Sequence, residues 1–396
     1  MRALARPGLG GYGAPMERLP LTSDAIGPVR RGHPWVYADG VKSRAPAGTP
    51  VQLCDERGRP VAFALADDGP IAARVLARHA EPVPRLLARR IAAAAAERPA
   101  VLPADTDAYR VVNGPGDALP GVVVDRYAHV AVLRLYSAAW TPWLDALTQA
   151  IADIPGVTTV LRRLGVRRVD GATGAERLHG PALDGPVIVK ESGLRFLARP
   201  EVGQKTGLFL DQREHRRFVA GMASGTTVAN LFAYTGGFSV HAAAAGAQRV
   251  ITVDISEPAL EDARENFRLN GLDPDAHAFV AADAFGWTPD RPVDILVCDP
   301  PNLSHGKSSD RAAYVAYRDL NRTVGAHVRP GGLLATASCT ARLARERWEQ
   351  AVREGLRSAG RWSWLWRAAE PPDHPVALDH PEGRYLKFAV LRRRVG

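Results

Sequence analysis

The chain has 396 residues, of which 46% are hydrophobic and 23% are charged, a composition typical of a folded protein with two or three domains. Its three cysteines form no Cys-x-x-Cys pair and no zinc-ligand spacing, which argues against a disulfide framework or a metal site and favours a reducing cytoplasm. Every uninterrupted apolar run is too short to cross a membrane, so no membrane association is expected.

Charge is distributed unevenly along the chain. The formal net charge is +9, and residues 1–100 hold 15 Arg or Lys against 9 Asp or Glu. A basic excess of this kind favours a polyanionic partner such as nucleic acid. Only five of the 51 basic residues are lysines, so an arginine-rich genome is an alternative source of the bias.

The first 195 residues are predicted to form a tail and two small domains. Residues 1–19 are rich in Gly, Pro and Arg and lack the apolar core of a signal peptide, so we predict a flexible tail. The alternative is that Met1 comes from an upstream start codon and that Met16 is the true start. Short strands and turns predict a mainly β domain over residues 20–79. A helix from Arg85 to Arg98, followed by a β meander, predicts an α+β domain over residues 80–195.

Residues 196–396 are predicted to form an α/β domain with a doubly wound parallel sheet. Short apolar runs alternate with helical segments, and this alternation is typical of such sheets. The predicted strands are residues 227–232, 250–255, 277–281, 293–298 and 333–337. The helices between them are predicted to begin near Phe238, Glu257, Ser309 and Arg342. Trp362, Trp364 and Trp366 alternate, which predicts a further strand with all three rings on one face.

The loop after the first predicted strand has the character of a nucleoside-binding turn. Tyr234, Thr235, Gly236 and Gly237 lead into an Ala-rich helix. Glycines let a ligand approach the backbone closely, and a helix N-terminus offers free N–H groups. Asp254 ends the second strand, where a carboxylate can accept hydrogen bonds from ribose hydroxyls.

The third predicted strand ends in Asp283 and Ala284, where a polar group can reach the edge of an adenine ring. The glycine loop is neither Gly-x-Gly-x-x-Gly nor Gly-x-x-x-x-Gly-Lys, which disfavours dinucleotides and nucleoside triphosphates. A nucleoside without a pyrophosphate fits better, and S-adenosylmethionine is the leading candidate. The alternative is that the glycines only make a tight turn and that Asp254 caps a helix.

The fourth predicted strand ends in Asp299-Pro300-Pro301-Asn302. Because the prolines fix φ and lack N–H donors, the Asp carboxylate and the proline carbonyls are held as acceptors. Such a loop can accept hydrogen bonds from an exocyclic amine and make that amine nucleophilic towards a sulfonium methyl group. This chemistry normally adds an aromatic residue after the prolines, and Asn302 weakens that interpretation.

Cys339 follows the next strand and offers a second chemistry. A thiolate that adds to carbon-6 of a pyrimidine makes carbon-5 nucleophilic, so that carbon-5 can take a methyl group. A base then removes the carbon-5 proton and the cysteine is eliminated. The alternative is that Cys339 only packs, as most free cysteines do. We predict that packing role for Cys298, which lies in a wholly apolar run.

Motifs along nearly the whole chain carry a family resemblance. They are Arg30-Arg-Gly-His-Pro-Trp, Tyr109-Arg-Val-Val, Lys205-Thr-Gly-Leu-Phe-Leu-Asp-Gln-Arg, Tyr234-Thr-Gly-Gly-Phe, Asp299-Pro-Pro, Tyr317-Arg-Asp-Leu-Asn, Ser338-Cys339, Asp373-His-Pro-Val and Pro381-Glu-Gly-Arg-Tyr-Leu-Lys. With these motifs the chain resembles the RlmI-type family of bacterial 23S rRNA 5-methylcytosine methyltransferases. The resemblance implies an N-terminal PUA domain, a small RNA-binding β barrel, then a central domain and a Rossmann-like class I methyltransferase domain.

The resemblance also implies roles for particular residues. Cys339 would be the nucleophile, and Asp299 is the nearest candidate for the proton-abstracting base. S-adenosylmethionine would be held by Phe232, Tyr234, Thr235, Gly236, Asp254, Asp283 and Asp299, with Gln212 as a weaker candidate. Arg30, Arg31, His33 and Lys205 are candidates for RNA contact, although a solvated basic turn explains the first three equally well.

The leading hypothesis is an S-adenosylmethionine-dependent enzyme that methylates carbon-5 of a cytosine in 23S rRNA through a covalent adduct with Cys339. One alternative is a guanine or exocyclic-amine rRNA methyltransferase that uses the Asp-Pro-Pro loop. Asn302-Leu-Ser is similar to relatives that methylate guanine and so supports the guanine form of this alternative, although those relatives lack the cysteine. Another alternative is a non-catalytic RNA-binding protein. A homodimer is left open by the sequence.

Overall fold

The computed structural model describes residues 16–166, 169–303 and 310–395. These residues form two compact units, each assembled from separate stretches of the chain. The first unit comprises the described residues of Met1–Val189, Ala198–Leu210 and Pro372–Gly383. The second comprises those of Lys190–Leu197, Asp211–Pro371 and Arg384–Gly396. The domain bounds drawn from the sequence stay predictions, and residues 1–15 of the predicted tail lie outside the described residues.

The first unit begins with a small sheet. Its strands and its helix are β1 (Glu17–Pro20), α1 (Ser23–Arg31), β2 (Trp35–Tyr37), β3 (Pro50–Cys54), β4 (Pro60–Ala66) and β5 (Ile71–Ala77). The strand order is β1-β3-β4-β5-β2, with β1 parallel to β3 and the other pairs antiparallel. Leu19 on β1 is buried with Val51 and Leu53 on β3, so the end of the predicted tail belongs to this sheet.

A second sheet follows in the same unit. Its elements are α2 (Val83–Glu97), β6 (Ala108–Asn113), β7 (Val122–Tyr127), β8 (Val130–Leu135), α3 (Leu144–Ala152), β9 (Thr159–Leu164) and β10 (Gly174–His179). The strand order is β10-β9-β8-β7-β6, and only the helix-connected pair β8 and β9 is parallel among these described strands. Helix α2 begins before the predicted Arg85, because Pro84 fits into a first turn that needs no N–H donor.

The second unit contains an α/β sheet, preceded by a hairpin of β11 (Val187–Glu191) and β12 (Leu194–Ala198). Its strands are β13 (Thr227–Leu231), β14 (Arg249–Asp254), β15 (Ala278–Ala281), β16 (Val293–Cys298), β17 (Val328–Ser338), β18 (Trp362–Ala368) and β19 (Lys387–Arg393). Its helices are α4 (Arg213–Ala220), α5 (Gly237–Ala244), α6 (Glu257–Leu269), α7 (Asp310–Ala326) and α8 (Arg345–Leu356). In the parts of the chain that the structure describes, every helix is too short or too polar to cross a membrane.

The strand order β15-β14-β13-β16-β17-β19-β18 positions the candidate site. The pairs from β15 to β17 are parallel, and β19 and β18 join antiparallel. From β13 the chain builds first towards β14 and β15, and then returns to place β16 on the other side of β13. Ligands of such sheets bind at the carboxyl ends of the strands, where the order reverses. The ends of β13, β14, β16 and β17 therefore lie at the same edge of the sheet.

In the second unit, the starts of β17 and α8 differ most from the sequence prediction. β17 begins at Val328 instead of residue 333, because the chain bulges over Pro330, Gly331 and Gly332 before its regular pairing with β16. Helix α8 begins at Arg345 instead of Arg342, because the preceding residues form a turn closed by the Leu343 N–H on the Thr340 carbonyl, 3.2 Å. The predicted helix start at Ser309 lies outside the described residues, and α7 is described from Asp310.

The prediction that the three tryptophans of β18 share one face is wrong. The register against β19 shifts between Trp364 and Trp366, so Trp364 lies opposite Leu391 and Trp366 lies opposite Val390. Trp362 and Trp364 pack against the core that includes α7 and α8, whereas Trp366 stacks on Phe218 of α4 with ring centroids 3.9 Å apart. A bulge adds one residue to a strand and so reverses the faces of the residues beyond it.

Candidate active site

The loop from β13 to α5 is tightly folded. Phe232 and Tyr234 have φ of 56° and 49°, a region that non-glycine residues rarely adopt, and Gly236 has φ of 76°. A Cβ atom on Gly236 would lie 2.9 Å from the Cβ of Ala263 on α6, so packing alone already requires glycine there. Strained residues of this kind cluster at ligand-binding loops, which agrees with the role suggested by the sequence.

Asp254, at the end of β14, has its carboxylate fixed by the backbone. Oδ2 accepts a hydrogen bond from the Tyr234 N–H at 2.7 Å, and Oδ1 accepts one from the Ser256 N–H at 2.9 Å. The bond to Tyr234 joins this strand end to the strained loop. Asp254 therefore orients that loop and, being partly exposed, keeps free acceptor positions for a ligand hydroxyl.

Asp283 and Ala284 lie beyond the end of β15 and differ in exposure. Asp283 is exposed, and its Oδ1 accepts a hydrogen bond from the Phe285 N–H at 3.0 Å. Ala284 is 5% exposed and belongs to the core of the sheet, so only its backbone is placed to meet a ligand. Of the two residues that the sequence analysis predicted together, Asp283 thus exposes its side chain and Ala284 does not.

Two apolar side chains at this edge were missed by the sequence interpretation. Ile255, directly after Asp254, is 76% exposed, and Phe285, directly after Ala284, is 46% exposed. The Phe285 ring meets the Phe232 ring edge-on, with centroids 5.0 Å apart. Exposed apolar groups beside a fixed carboxylate suit a flat ring carried on a sugar. The sequence did contain a signal for both residues, because each lies within two positions of an aspartate that was predicted to end a strand.

Asp299, at the end of β16, is held by a buried side chain. Gln212 is 3% exposed, and its Nε2 donates to Asp299 Oδ2 at 2.9 Å. Gln212 Oε1 contacts His215 Nδ1, and His215 Nε2 lies 3.1 Å from the Ala369 carbonyl oxygen. Burial lowers the pKa of His215 to about 3, so this imidazole is neutral at physiological pH. The structure therefore brings Gln212 to the Asp-Pro-Pro loop.

Cys339 follows β17, the strand that pairs with β16. It is half-buried, whereas Cys54 and Cys298 are buried. Burial raises the pKa of the Cys298 thiol, in agreement with its predicted packing role. Among the three cysteines, Cys339 combines partial exposure with a position at the sheet edge where Asp299 lies.

A chain of hydrogen bonds joins the turn after Cys339 to the Asp-Pro-Pro-Asn loop. The Thr340 hydroxyl donates to Asn302 Oδ1 at 2.9 Å, and the Tyr317 hydroxyl on α7 donates to the same Thr340 oxygen at 2.9 Å. Burial raises the pKa of Tyr317 to about 12, so Tyr317 keeps its proton and remains a donor. Asn302 thus joins the strand end that carries Asp299 to the strand end that carries Cys339.

The RNA-contact candidates lie in the first unit. Arg30 and Arg31 end α1 and are both exposed, and Arg30 Nη2 is 3.7 Å from Asp55 Oδ2. His33 Nδ1 contacts the Trp35 carbonyl oxygen at 2.8 Å. Lys205 Nζ lies 4.3 Å from the centroid of the Phe209 ring. The first three candidates share one turn, and Lys205 comes from a separate stretch of the chain.

Comparison with known proteins gives the chain a family context. A family model described as an S-adenosylmethionine-dependent methyltransferase matches residues 139–388, and a PUA-like domain model matches residues 19–78. A "Ribosomal RNA large subunit methyltransferase" from Deinococcus radiodurans is 39% identical over 96% of this chain and 98% of its own length. A "Ribosomal RNA large subunit methyltransferase I" from Shewanella amazonensis is 34% identical over 91% and 96%, respectively.

Solved structures show the same fold. A S-adenosylmethionine-dependent methyltransferase structure from Streptococcus mutans superposes with a TM-score of 0.83 at 22% identity, covering 95% of this chain and 100% of its own. A second methyltransferase structure with the same TM-score contains SAH. The matches confirm the mixed α/β fold with a Rossmann-like methyltransferase sheet, the N-terminal PUA-like domain and S-adenosylmethionine as the cofactor.

Proposed function

The chain belongs to the S-adenosylmethionine-dependent methyltransferase family, and we propose that it methylates carbon-5 of a cytosine in the RNA of the large ribosomal subunit. The ribosomal RNA substrate is supported by the names of relatives that match over nearly the whole chain, and by the PUA-like domain. The proposal places the enzyme in the cytoplasm, with ribosomal RNA as its partner.

One observation carries the choice of carbon-5. Cys339 is the partly exposed cysteine, and it follows the strand next to Asp299. A cysteine that only packs in a core has no reason to be exposed at the ligand-binding edge of a sheet. Methylation of an exocyclic amine would need the Asp-Pro-Pro loop alone and would leave this thiol without a role.

The proposed reaction uses two residues of the chain directly. The Cys339 sulfur forms a bond to carbon-6 of the cytosine, and carbon-5 becomes the nucleophile. S-adenosylmethionine, when bound, would supply the electrophilic methyl group that carbon-5 takes, and its sulfur would leave as a neutral thioether. Asp299 then accepts the proton from carbon-5, the carbon-5 to carbon-6 double bond forms again, and the Cys339 thiolate leaves. The Gln212 amide holds Oδ2 of Asp299, which keeps the carboxylate in one orientation for this step.

The residues at the ends of β13 to β15 fit the cofactor. We assign the ribose hydroxyls to Asp254, whose carboxylate is already oriented by two backbone N–H groups. Ile255 and Phe285 offer apolar surface to the adenine ring, and Asp283 lies beside them as a polar contact. The strained loop of Phe232, Tyr234, Thr235 and Gly236 would line the remaining side.

We assign RNA contacts to Arg30, Arg31 and His33 on the PUA-like domain and to Lys205. Exposed guanidinium and ammonium groups contact phosphates, and such contacts weaken as salt concentration rises. The target cytosine must lie in an unpaired loop or leave its stack before Cys339 can reach it.

The decisive experiment compares rRNA nucleosides by mass spectrometry with and without the gene, and then tests purified Cys339→Ala on rRNA that lacks the methyl group. We expect one 5-methylcytosine to disappear in the deletion, and Cys339→Ala to be inactive while it binds S-adenosylmethionine normally by calorimetry. Cys54→Ala, in the buried β3 strand of the other unit, is the matched control and should stay active.

Each alternative has its own outcome. An active Cys339→Ala enzyme would favour guanine or amine methylation through Asp299 and Pro300. A wild-type protein that binds no S-adenosylmethionine would favour a non-catalytic RNA-binding protein.

A further inference from the structure

The last motif of the family resemblance ends in a lysine that the proposed reaction has not used. Lys387 begins β19, and it pairs directly with Ser338 at the end of β17, next to Cys339. Its side chain is 3% exposed. Its Nζ donates to the Thr340 carbonyl at 2.6 Å and to the Tyr385 carbonyl at 3.1 Å. The ammonium group is therefore anchored to the turn that carries Cys339.

A buried ammonium group needs an opposite charge nearby, because removal from water disfavours the charged form. Burial lowers the pKa of Lys387 to about 8, the guanidinium of Arg345 acts in the same direction, and the charges of Cys339 and Glu370 oppose them. Among the described residues, the Lys387 ammonium group donates to two neutral carbonyls, those of Thr340 and Tyr385. Glu370 Oε1 instead accepts from the N–H groups of Tyr385 and Leu386.

We propose that Lys387 is the counter-ion of Cys339 and that its ammonium group favours the thiolate form of this cysteine. The thiol proton leaves to solvent, Lys387 keeps its own proton, and the sulfur becomes the nucleophile. When the thiolate is eliminated at the end of the reaction, it returns beside the same positive charge. This role rests on the proposed function for its use in catalysis, although the ion pair itself can be measured without any substrate.

The other charged or titratable groups around the pair come from four elements. Tyr317 on α7 interacts electrostatically with Cys339, and it is neutral because burial raises its pKa to about 12. Asp299 after β16 interacts with the same tyrosine and is paired with Gln212. Arg345 on α8 donates to the Ala368 and Leu386 carbonyls, and Glu370 follows β18. Of the two positive groups, Arg345 and Lys387, it is Lys387 that donates a hydrogen bond to the turn after Cys339.

The test is the pH dependence of Cys339 alkylation by iodoacetamide in the full chain, with each cysteine followed by peptide mass spectrometry. A lone thiol titrates near pH ~8.5, and a cation in contact lowers that midpoint by about one to three pH units. We expect a wild-type midpoint below ~8.5, a rise of at least about one unit in Lys387→Met, and a midpoint close to wild type in Lys387→Arg. Arg345→Met is the control for a general change in charge and should move the midpoint less.

Two results would overturn the counter-ion role. One is a folded Lys387→Met protein, by circular dichroism, whose Cys339 midpoint equals that of wild type. If that variant does not fold, the wild-type midpoint decides, and a value at or above ~8.5 contradicts the proposal. The proposed function fails on a different observation, methylation by Cys339→Ala, so the two failures are distinguishable. In active enzyme, Lys387→Met should also move the acidic limb of the rate profile to higher pH.

Discussion

Asp254 and Asp299 both end a parallel strand of the same sheet, yet their carboxylates are held in different ways. Asp254 accepts hydrogen bonds from two backbone N–H groups and has the exposed Ile255 beside it. Asp299 accepts one from the side chain of Gln212, which is itself buried. At the neighbouring strand end, the buried side chains of Thr340 and Tyr317 are joined by a hydrogen bond between their hydroxyl groups.

Under the proposed function, this difference separates cofactor binding at Asp254 from chemistry at Asp299. At the ends of β14 and β15, polar and apolar groups face solvent, as a surface that a ligand will cover must do. At the ends of β16 and β17, polar groups are oriented in advance by other polar groups, which spares the reacting atoms any reorganisation. Variants on the β16 and β17 side should therefore reduce the rate or the stability, and variants on the β14 side should reduce cofactor affinity.

The largest expected effect is on Asp299→Asn. The amide cannot accept a proton, so we expect rRNA methylation to slow by about 100-fold or more. Cofactor affinity, measured by calorimetry, should change less than the rate. The control is Asp294→Asn at the opposite end of β16, whose carboxylate bonds the Thr227 N–H and Arg329. If Asp299→Asn lowers the cofactor affinity as much as it lowers the methylation rate, the result would indicate that Asp299 binds the cofactor and does not accept the proton.

Next in size is the loss of stability in Thr340→Val. The substitution removes the donor to Asn302 and one of the partners of the buried Tyr317 hydroxyl, at a cost of about 1–3 kcal/mol. Thr336→Val, on the strand β17 that precedes Thr340, is the matched control, because the Thr336 hydroxyl is buried and has no hydrogen-bond partner within the described residues. Urea unfolding should show a clear loss for the first variant and none for the second. Equal losses would mean that Thr340 only fills space.

Gln212→Leu should have an intermediate effect. Leucine fills a similar volume but donates no hydrogen bond, so Asp299 loses its orientation and the turnover rate should fall about tenfold. The measurement is kcat with saturating RNA and cofactor. Gln248→Leu, at an exposed position of the same unit, should leave kcat unchanged. A lower cofactor affinity at unchanged kcat would instead support the direct cofactor contact predicted from the sequence.

The smallest effect is expected for Ile255→Ala. This side chain is 76% exposed, so its truncation should change the free energy of unfolding by less than about 0.5 kcal/mol. Cofactor affinity should fall several-fold, because the adenine ring loses apolar contact. The comparison is with Ile188→Ala, an isoleucine that is 53% exposed in the first unit and should change neither quantity. If both variants bind the cofactor equally well, Ile255 does not contact the adenine.

The strands of the methyltransferase sheet could be predicted because fully buried parallel strands appear as apolar runs. β16 was predicted with its observed bounds, and this fixed Asp299 at a strand end. β17 was predicted too short, since Pro330, Gly331 and Gly332 conceal a bulge. The same limit affected Trp366, because a bulge reverses the face of a side chain without any clear change in sequence pattern.

The contacts that assemble the candidate site were less accessible from the sequence. Gln212 and Asp299 are separated by 87 positions, and Lys387 and Thr340 by 47. Periodicity describes neighbours along one helix or strand, so it cannot pair such residues. Family resemblance pointed to the segments that contain Gln212 and Lys387, but not to the atoms they contact.

The position of β19 has a consequence for how the protein is made. β19 pairs with β17, the strand that leads to Cys339, along the edge of β17 opposite β16. It is synthesised after β1 to β18 and after Pro372–Gly383, a segment that belongs to the first unit. Until then β17 is an open edge, and the positive charge of Lys387 is absent from its end. The nascent chain thus exposes one edge of β17, in which residues 333–335 are apolar, late in translation, and an open strand edge favours aggregation. Under the proposed role of Lys387, the same late strand therefore completes the pairing of β17 and brings the positive charge to Cys339.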